Sequence, residues 1–171
     1  MKKLLLVATF VVAGFVSANA QFTFGGGIRL GMPIGDFGDT HSFGIGGELQ
    51  GEYQFSENFT GIITTGYTSF FGKTVNFGFG DVKLDAVGLI PIIAGVRVYP
   101  SPNFFIGAQA GYGILTGNGD SEGAFNYQPQ VGYNADRFQV ALNYNALSKD
   151  GSTLGHIGLT AIFKFGGGSA E

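Results

Sequence analysis

The 171-residue chain contains no cysteine, which excludes a disulfide framework and any thiolate metal site. Charged residues are scarce at 12%, about half of what a soluble globular domain carries. Basic residues are scarcer still, since nine Lys and Arg face twelve Asp and Glu for a net charge of −3. A nucleic-acid partner is thereby excluded, because such binding needs a basic face that displaces counterions. Sustained helical periodicity is missing beyond Gln21. The longest uncharged apolar run, Leu4 to Val16, falls short of the roughly 20 residues a membrane-spanning helix requires.

What is present begins with a leader. Lys2 and Lys3, the apolar run, and Ala18-Asn19-Ala20 before Gln21 make a secretory signal pattern, so residues 1–20 are expected to be removed. No Cys follows the run, which argues against lipid anchoring. Without Lys2 and Lys3 the charge becomes −5, seven basic against twelve acidic residues. Residues 21–165 then form one domain, and the glycine-rich tail at 166–171 is expected to be flexible.

Within that domain apolar residues recur at every second position, the period of a strand with one apolar face. The runs begin Phe22, Phe24, Gly26, Ile28, Leu30, then Phe43 to Phe55, then Phe59 to Tyr67. A fourth, Val87 to Tyr99, is apolar on both faces apart from Arg97, so its phase is unreadable; Pro91 interrupts it, and a bulge there would accommodate the missing donor. Four more runs follow: Phe104 to Ile114, Phe125 to Tyr133, Phe138 to Tyr144 and Ile157 to Phe165. Eight strands suit an antiparallel up-and-down barrel with both ends on one side. The connections alternate: Ser56 to Asn58, Pro100 to Asn103 and Asn134 to Arg137 are short, whereas Pro33 to His41, Gly72 to Asp85, Thr116 to Ala124 and Ser148 to Gly155 are longer. Short periplasmic turns opposite long extracellular loops are the asymmetry of outer-membrane barrels. Aromatic residues flank the short turns: Phe55 and Phe59, Tyr99 and Phe104, Tyr133 and Phe138, with Phe22 and Phe165 at the same level. They are read as an interfacial girdle.

A soluble lipocalin-like barrel would alternate in the same way with the opposite sense. The polar faces discriminate between the two. A face turned to water should be rich in Lys and Glu, whereas here the first two read Thr23, Gly25, Gly27, Arg29, Gly31 and Gly44, Gly46, Glu48, Gln50, Glu52. Small and uncharged residues fit the cramped lumen of an eight-stranded barrel. The seven phased apolar runs carry no charge, and a midplane Lys or Arg in lipid would cost about 2–4 kcal/mol. The expectation is an all-β, eight-stranded antiparallel transmembrane barrel in a Gram-negative outer membrane, both termini periplasmic, contacting outer-membrane lipids and lipopolysaccharide.

Leu89-Ile90-Pro91-Ile92-Ile93-Ala94-Gly95-Val96-Arg97-Val98-Tyr99, the segment Phe104 to Gly113, and a last strand ending in Phe resemble the small outer-membrane β-barrel domain family, similar in architecture to the OmpX and OmpA barrels. The resemblance covers essentially all of residues 21–165 through loose motifs. It implies insertion by the barrel assembly machinery, which reads a terminal aromatic strand; Phe163-Lys164-Phe165 looks like that signal, although Gly166 to Glu171 follow it.

Charged lumen candidates are Arg29, Glu48, Glu52 and Lys164, with Arg97 joining if it points inward. Buried charges must pair, and Arg29 and Glu48 lie at similar height on adjacent strands, as a cross-strand pair would. A network that fills the lumen is weighed against a gated ion path. Catalysis would need a His near Ser or a carboxylate. His41 beside Ser42 makes a poor dyad in a strand; His156 would have to reach Ser148 or Asp150, and two rim histidines are the plainer reading. No enzyme activity, metal or cofactor is expected. Asp36, Asp39, Asp81, Asp85, Asp120, Glu122 and Asp150 make the loops acidic, and Asn118-Gly119-Asp120 lacks the full spacing of a calcium loop. The functions left open are a structural or interaction component with a plugged lumen, a subunit of a larger outer-membrane complex, a narrow pore, and a lipid A-modifying enzyme.

Overall fold

The computed structural model describes residues 22–76, 80–117 and 119–165. The leader, the cleavage site, Asn118 and the tail lie outside them. In chain order the elements are β1 (Phe22–Ile34), a short helix α1 (Asp36–Thr40), β2 (His41–Ser56), β3 (Phe59–Gly72), β4 (Thr74–Asn76), β5 (Asp81–Lys83), β6 (Val87–Ser101), β7 (Phe104–Gly117), β8 (Asp120–Asn134), β9 (Phe138–Lys149) and β10 (Ser152–Phe165). Eight of the strands close in the order β1-β2-β3-β6-β7-β8-β9-β10, with β10 returning to β1; β4 and β5 form a separate two-stranded arm. Closure pairs every edge, which is the condition for a sheet to stand in lipid.

The registers determine the geometry. Passing from strand to strand along paired residues, Phe24 leads to Gly51, Ile63, Ala94, Ala110, Tyr127, Ala146 and Gly155, and returns to β1 at Ile34. That displacement of ten residues is the shear of the barrel. With eight strands it sets a tilt of about 40°. The eleven-residue run from Phe104 to Ile114, ten residue steps, then rises roughly 25 Å, the height of a transmembrane apolar band.

Alternation places the apolar runs outside. Ile28, Leu49 and Phe104 are 60%, 62% and 60% exposed, whereas Arg29 and Arg97 are 1% exposed. The fourth run acquires its phase here: Leu89, Pro91, Ile93 and Arg97 turn inward while Ile92, Val96 and Val98 face out. Pro91 makes no bulge. Pairing with β3 runs to Thr65↔Ile92 and resumes at Thr68↔Leu89 in unchanged register, so the ladder skips the missing N–H instead of shifting. Pro129 interrupts the β8–β9 ladder in the same way, between Tyr127↔Ala146 and Gln130↔Asn143.

Two of the four longer connections are corrected. Thr116↔Ser121 and Gly117↔Asp120 are paired, as are Thr153↔Ser148 and Ser152↔Lys149. These segments are strands that continue past the apolar band. Their outer faces carry no apolar run, so the alternation that reveals a strand disappears while the backbone pairing persists. The Asp150-Gly151 turn, with φ of 48° and 83°, has the two left-handed residues of a tight hairpin turn.

Candidate functional site

Inward-facing side chains of all eight barrel strands fill the interior in three layers. The layer at the turn end, where β1 begins and β10 ends, is centred on Arg97. Its Nη1 donates to Gln139 Oε1 at 3.0 Å, its Nη2 donates to Gln50 Oε1 at 2.9 Å and Gln130 Oε1 at 3.1 Å, and it is ion-paired with Glu52. Gln50 Nε2 donates to Glu52 Oε1 at 2.8 Å, and Gln139 Nε2 does so at 3.2 Å. The guanidinium also lies 4.3 Å from the centre of the Phe105 ring, a cation–π contact. Lys164 completes this end, donating to Asn134 Oδ1 at 2.9 Å and ion-paired with no carboxylate among the described residues. Around it Thr23, Glu52, Thr60, Tyr99 and Asn134 line a polar mouth of about 150 Å³.

The middle layer holds Arg29. It is ion-paired with Glu48 and donates from Nη2 to Gln128 Oε1 at 2.9 Å, spanning the lumen from β1 to β8. The pair is diagonal, because Arg29 sits opposite Gly46 and Glu48 opposite Gly27. Asn145 Nδ2 also donates to Gln128 Oε1, at 3.0 Å. Gln109, Asn126 and His156 are buried here with side-chain polar atoms that find no partner among the described residues. The third layer, at the loop end, is apolar: Phe37, Phe70, Leu89, Ala124 and Leu147. Phe37 arrives on α1, and its ring lies 5.1 Å from that of Phe70. α1 is tied down by Lys73 Nζ, which donates to Gly38 O at 2.5 Å.

The five charged residues singled out from sequence thus divide between two levels. The glutamines that join them, Gln50, Gln128, Gln130 and Gln139, were not singled out, although an amide on the inward phase was the available signal. Tyr99 is a correction. It shares the inward parity of Arg97 and packs 5.9 Å from the ring of buried Phe105, so it belongs to the mouth and not to the girdle. Its phase was hidden because both faces of β6 are apolar. Phe22, Phe55, Phe59, Phe104, Tyr133, Phe138 and Phe165 face outward at the turn end. A second outward set at the loop end, Phe43, Tyr67, Phe71, Tyr112 and Phe125, was not anticipated.

His156 is also corrected: it is not a rim residue. It is fully buried, paired across from Asn145, with its ring 4.9 Å from that of Phe70. It therefore lies below the apolar layer, whereas Ser148 is paired with Thr153 above it. His41 Nδ1 meets Thr40 Oγ1 at 2.9 Å, while Ser42 Oγ donates to Phe71 O at 3.2 Å. Burial pushes the His41 imidazole below its ordinary pKa, against a backbone hydrogen bond at Asp85 that raises it. Among the described residues no three His, Asp or Glu side chains converge as metal ligands.

No family model matches the chain, and no curated protein matches it. Solved structures do. The crystal structure of Ail, the attachment invasion locus protein of Yersinia pestis, covers 86% of this chain and 100% of its own at 16% identity, with a TM-score of 0.57; Ail is also solved with the heparin analogue sucrose octasulfate. Neisserial surface protein A covers 85% of this chain and 96% of its own at 12% identity, TM-score 0.54. A de novo designed transmembrane β-barrel covers 84% and 95% at 12% identity, TM-score 0.52. The chain shares their fold. It is a closed antiparallel barrel of eight strands, built like these small barrels from membranes.

Proposed function

We propose that this chain is an integral outer-membrane β-barrel with a plugged lumen, serving a structural or protein-interaction role without catalysis. The observation that carries the reading is the inverted polarity: arginines at 1% exposure inside, and isoleucine, leucine and phenylalanine at about 60% exposure outside. In water that outside would be an apolar patch far larger than soluble monomers tolerate, whereas in lipid it is the expected surface. The turn end, where β1 begins and β10 ends, faces the periplasm, and the loop end faces out. Three stacked layers of side chains, the last of them the apolar cluster of Phe37, Phe70, Leu89, Ala124 and Leu147, support a plug over a pore. His41 and Ser42 take different hydrogen-bond partners, and His156 lies a layer below Ser148, which supports a non-enzymatic role.

Lipid and lipopolysaccharide are the partners of the outer surface. A polyanion such as the sulfated ligand seen with Ail does not carry over, because the loop end, counting the connections there together with the adjoining tips of β8 and β9, holds seven acidic residues (Asp36, Asp39, Asp81, Asp85, Asp120, Glu122, Asp150) against three lysines (Lys73, Lys83, Lys149). Like charge at that end opposes such a ligand. The test has two arms. The protein should leave native membranes with detergent and not with salt or alkali, and the purified barrel should give no stepwise conductance in planar bilayers. Release without detergent would overturn the location, and discrete conductance would overturn the plug.

A further inference from the structure

Above the loop-end aromatics the inward faces of β7, β9 and β10 carry leucines, and that of β8 an alanine, where an aqueous mouth would favour polar residues. Leu115, Ala124, Leu147 and Leu154, one from each strand, floor a concave cavity of about 300 Å³. That volume is at the lower end of small-molecule sites, which pair an apolar lining with a few converging polar groups. Here the polar groups are Glu122 and Lys149, joined as an ion pair over the floor, and Asp150 beside them. The Glu122 carboxylate holds the Lys149 ammonium above its ordinary pKa, chiefly by hydrogen bonding. With Lys149 neutralised by Glu122, Asp150 leaves the rim one negative charge in excess, on an end of the barrel already net −4 (three Lys, seven Asp and Glu).

We propose that this cup binds a small monocation with an apolar body: an ammonium carried on an aromatic or branched alkyl group. The body covers the partly exposed Leu115 and Leu154 over buried Leu147 and Ala124, and the ammonium meets the carboxylates of Asp150 and Glu122. An anion of the same shape would be rejected by the unbalanced carboxylate. The cup exists whichever way the loop end faces; only its being extracellular rests on the reading above.

The chain has no tryptophan, so an indole ligand reports its own environment without background. Tryptamine titrated against the folded barrel in zwitterionic detergent, with empty micelles subtracted, should show a saturable blue shift with a dissociation constant on the order of 100 μM. Leu154→Gln and Leu115→Thr should each weaken it about tenfold. Asp150→Asn, which keeps a side chain that tolerates the left-handed turn, should do the same, and added salt should weaken binding to the unaltered protein. Indole-3-propionate, the anionic counterpart, should not bind. The idea fails if no saturable shift exceeds that of empty micelles, if the anion binds equally, or if folded Asp150→Asn and Leu154→Gln both bind as before. Because the assay uses micelles, it succeeds or fails independently of the membrane extraction and conductance results.

Discussion

At the scale of single residues the decisive fact is charge held away from bulk water. Arg29 and Glu48 are 1% and 5% exposed, so removing one partner strands the other where solvation is poor. Glu48→Ala should cost about 3–5 kcal/mol, while Arg29→Met with Glu48→Leu should cost far less; denaturant unfolding of the liposome-folded barrel measures both. Glycines show a second residue-level contrast. A Cβ on inward Gly95 would sit 2.0 Å from Ala108 O, whereas on outward Gly47 the nearest atom is 3.8 Å away. Gly95→Ala should therefore destabilise by more than about 1 kcal/mol, and Gly47→Ala should be neutral or stabilising. Both should be visible in the same unfolding assay. Arg29, Glu48 and Glu52 could be assigned to the inside from sequence because their strands alternate cleanly. Arg97 and Tyr99 could not, since Leu89, Pro91 and Ile93 line an apolar part of the interior and erase the contrast between the faces of β6.

At the scale of elements the strands outrun their own sequence signal. Hydrophobic alternation marked only the portions with an apolar outer face, so the upper ends of β7 to β10 looked like loops. They are held by backbone pairing and by tight turns, of which Asp150-Gly151 is the most constrained. Gly151 has φ of 83°, where a branched side chain costs about 1–2 kcal/mol. Gly151→Val should speed amide exchange in Ser148 to Thr153 while leaving exchange at Val140 to Asn143 unchanged. Uniform acceleration along β9 would mean that the turn is coupled to the whole barrel. The cap behaves differently: α1 is too short to signal itself by period, and its place is determined by Phe37 on Phe70 and by Lys73 on Gly38 O.

At the scale of the whole molecule, shear and strand number set tilt, and tilt sets thickness. The two outward aromatic sets lie roughly 25 Å apart by that geometry, matching the apolar depth of an outer membrane. Leu49 faces out near the middle of this band, whereas Val82 lies on the β4–β5 arm beyond it. Leu49→Arg should destabilise the liposome-folded protein by about 2–4 kcal/mol, and Val82→Arg should not. Equal effects would place the arm in lipid or the middle of β2 outside it.

The amino-acid sequence by itself determined the number of barrel strands, the outward face of seven of them and the inward location of four charged residues, Arg29, Glu48, Glu52 and Lys164, because each is a local parity that needs no partner. The tertiary structure decided which charges meet, the phase of β6, the burial of His156 and the apolar closure above it. Those depend on what lies across the lumen, and that distance is bridged only once the shear has brought residues from opposite strands to one height.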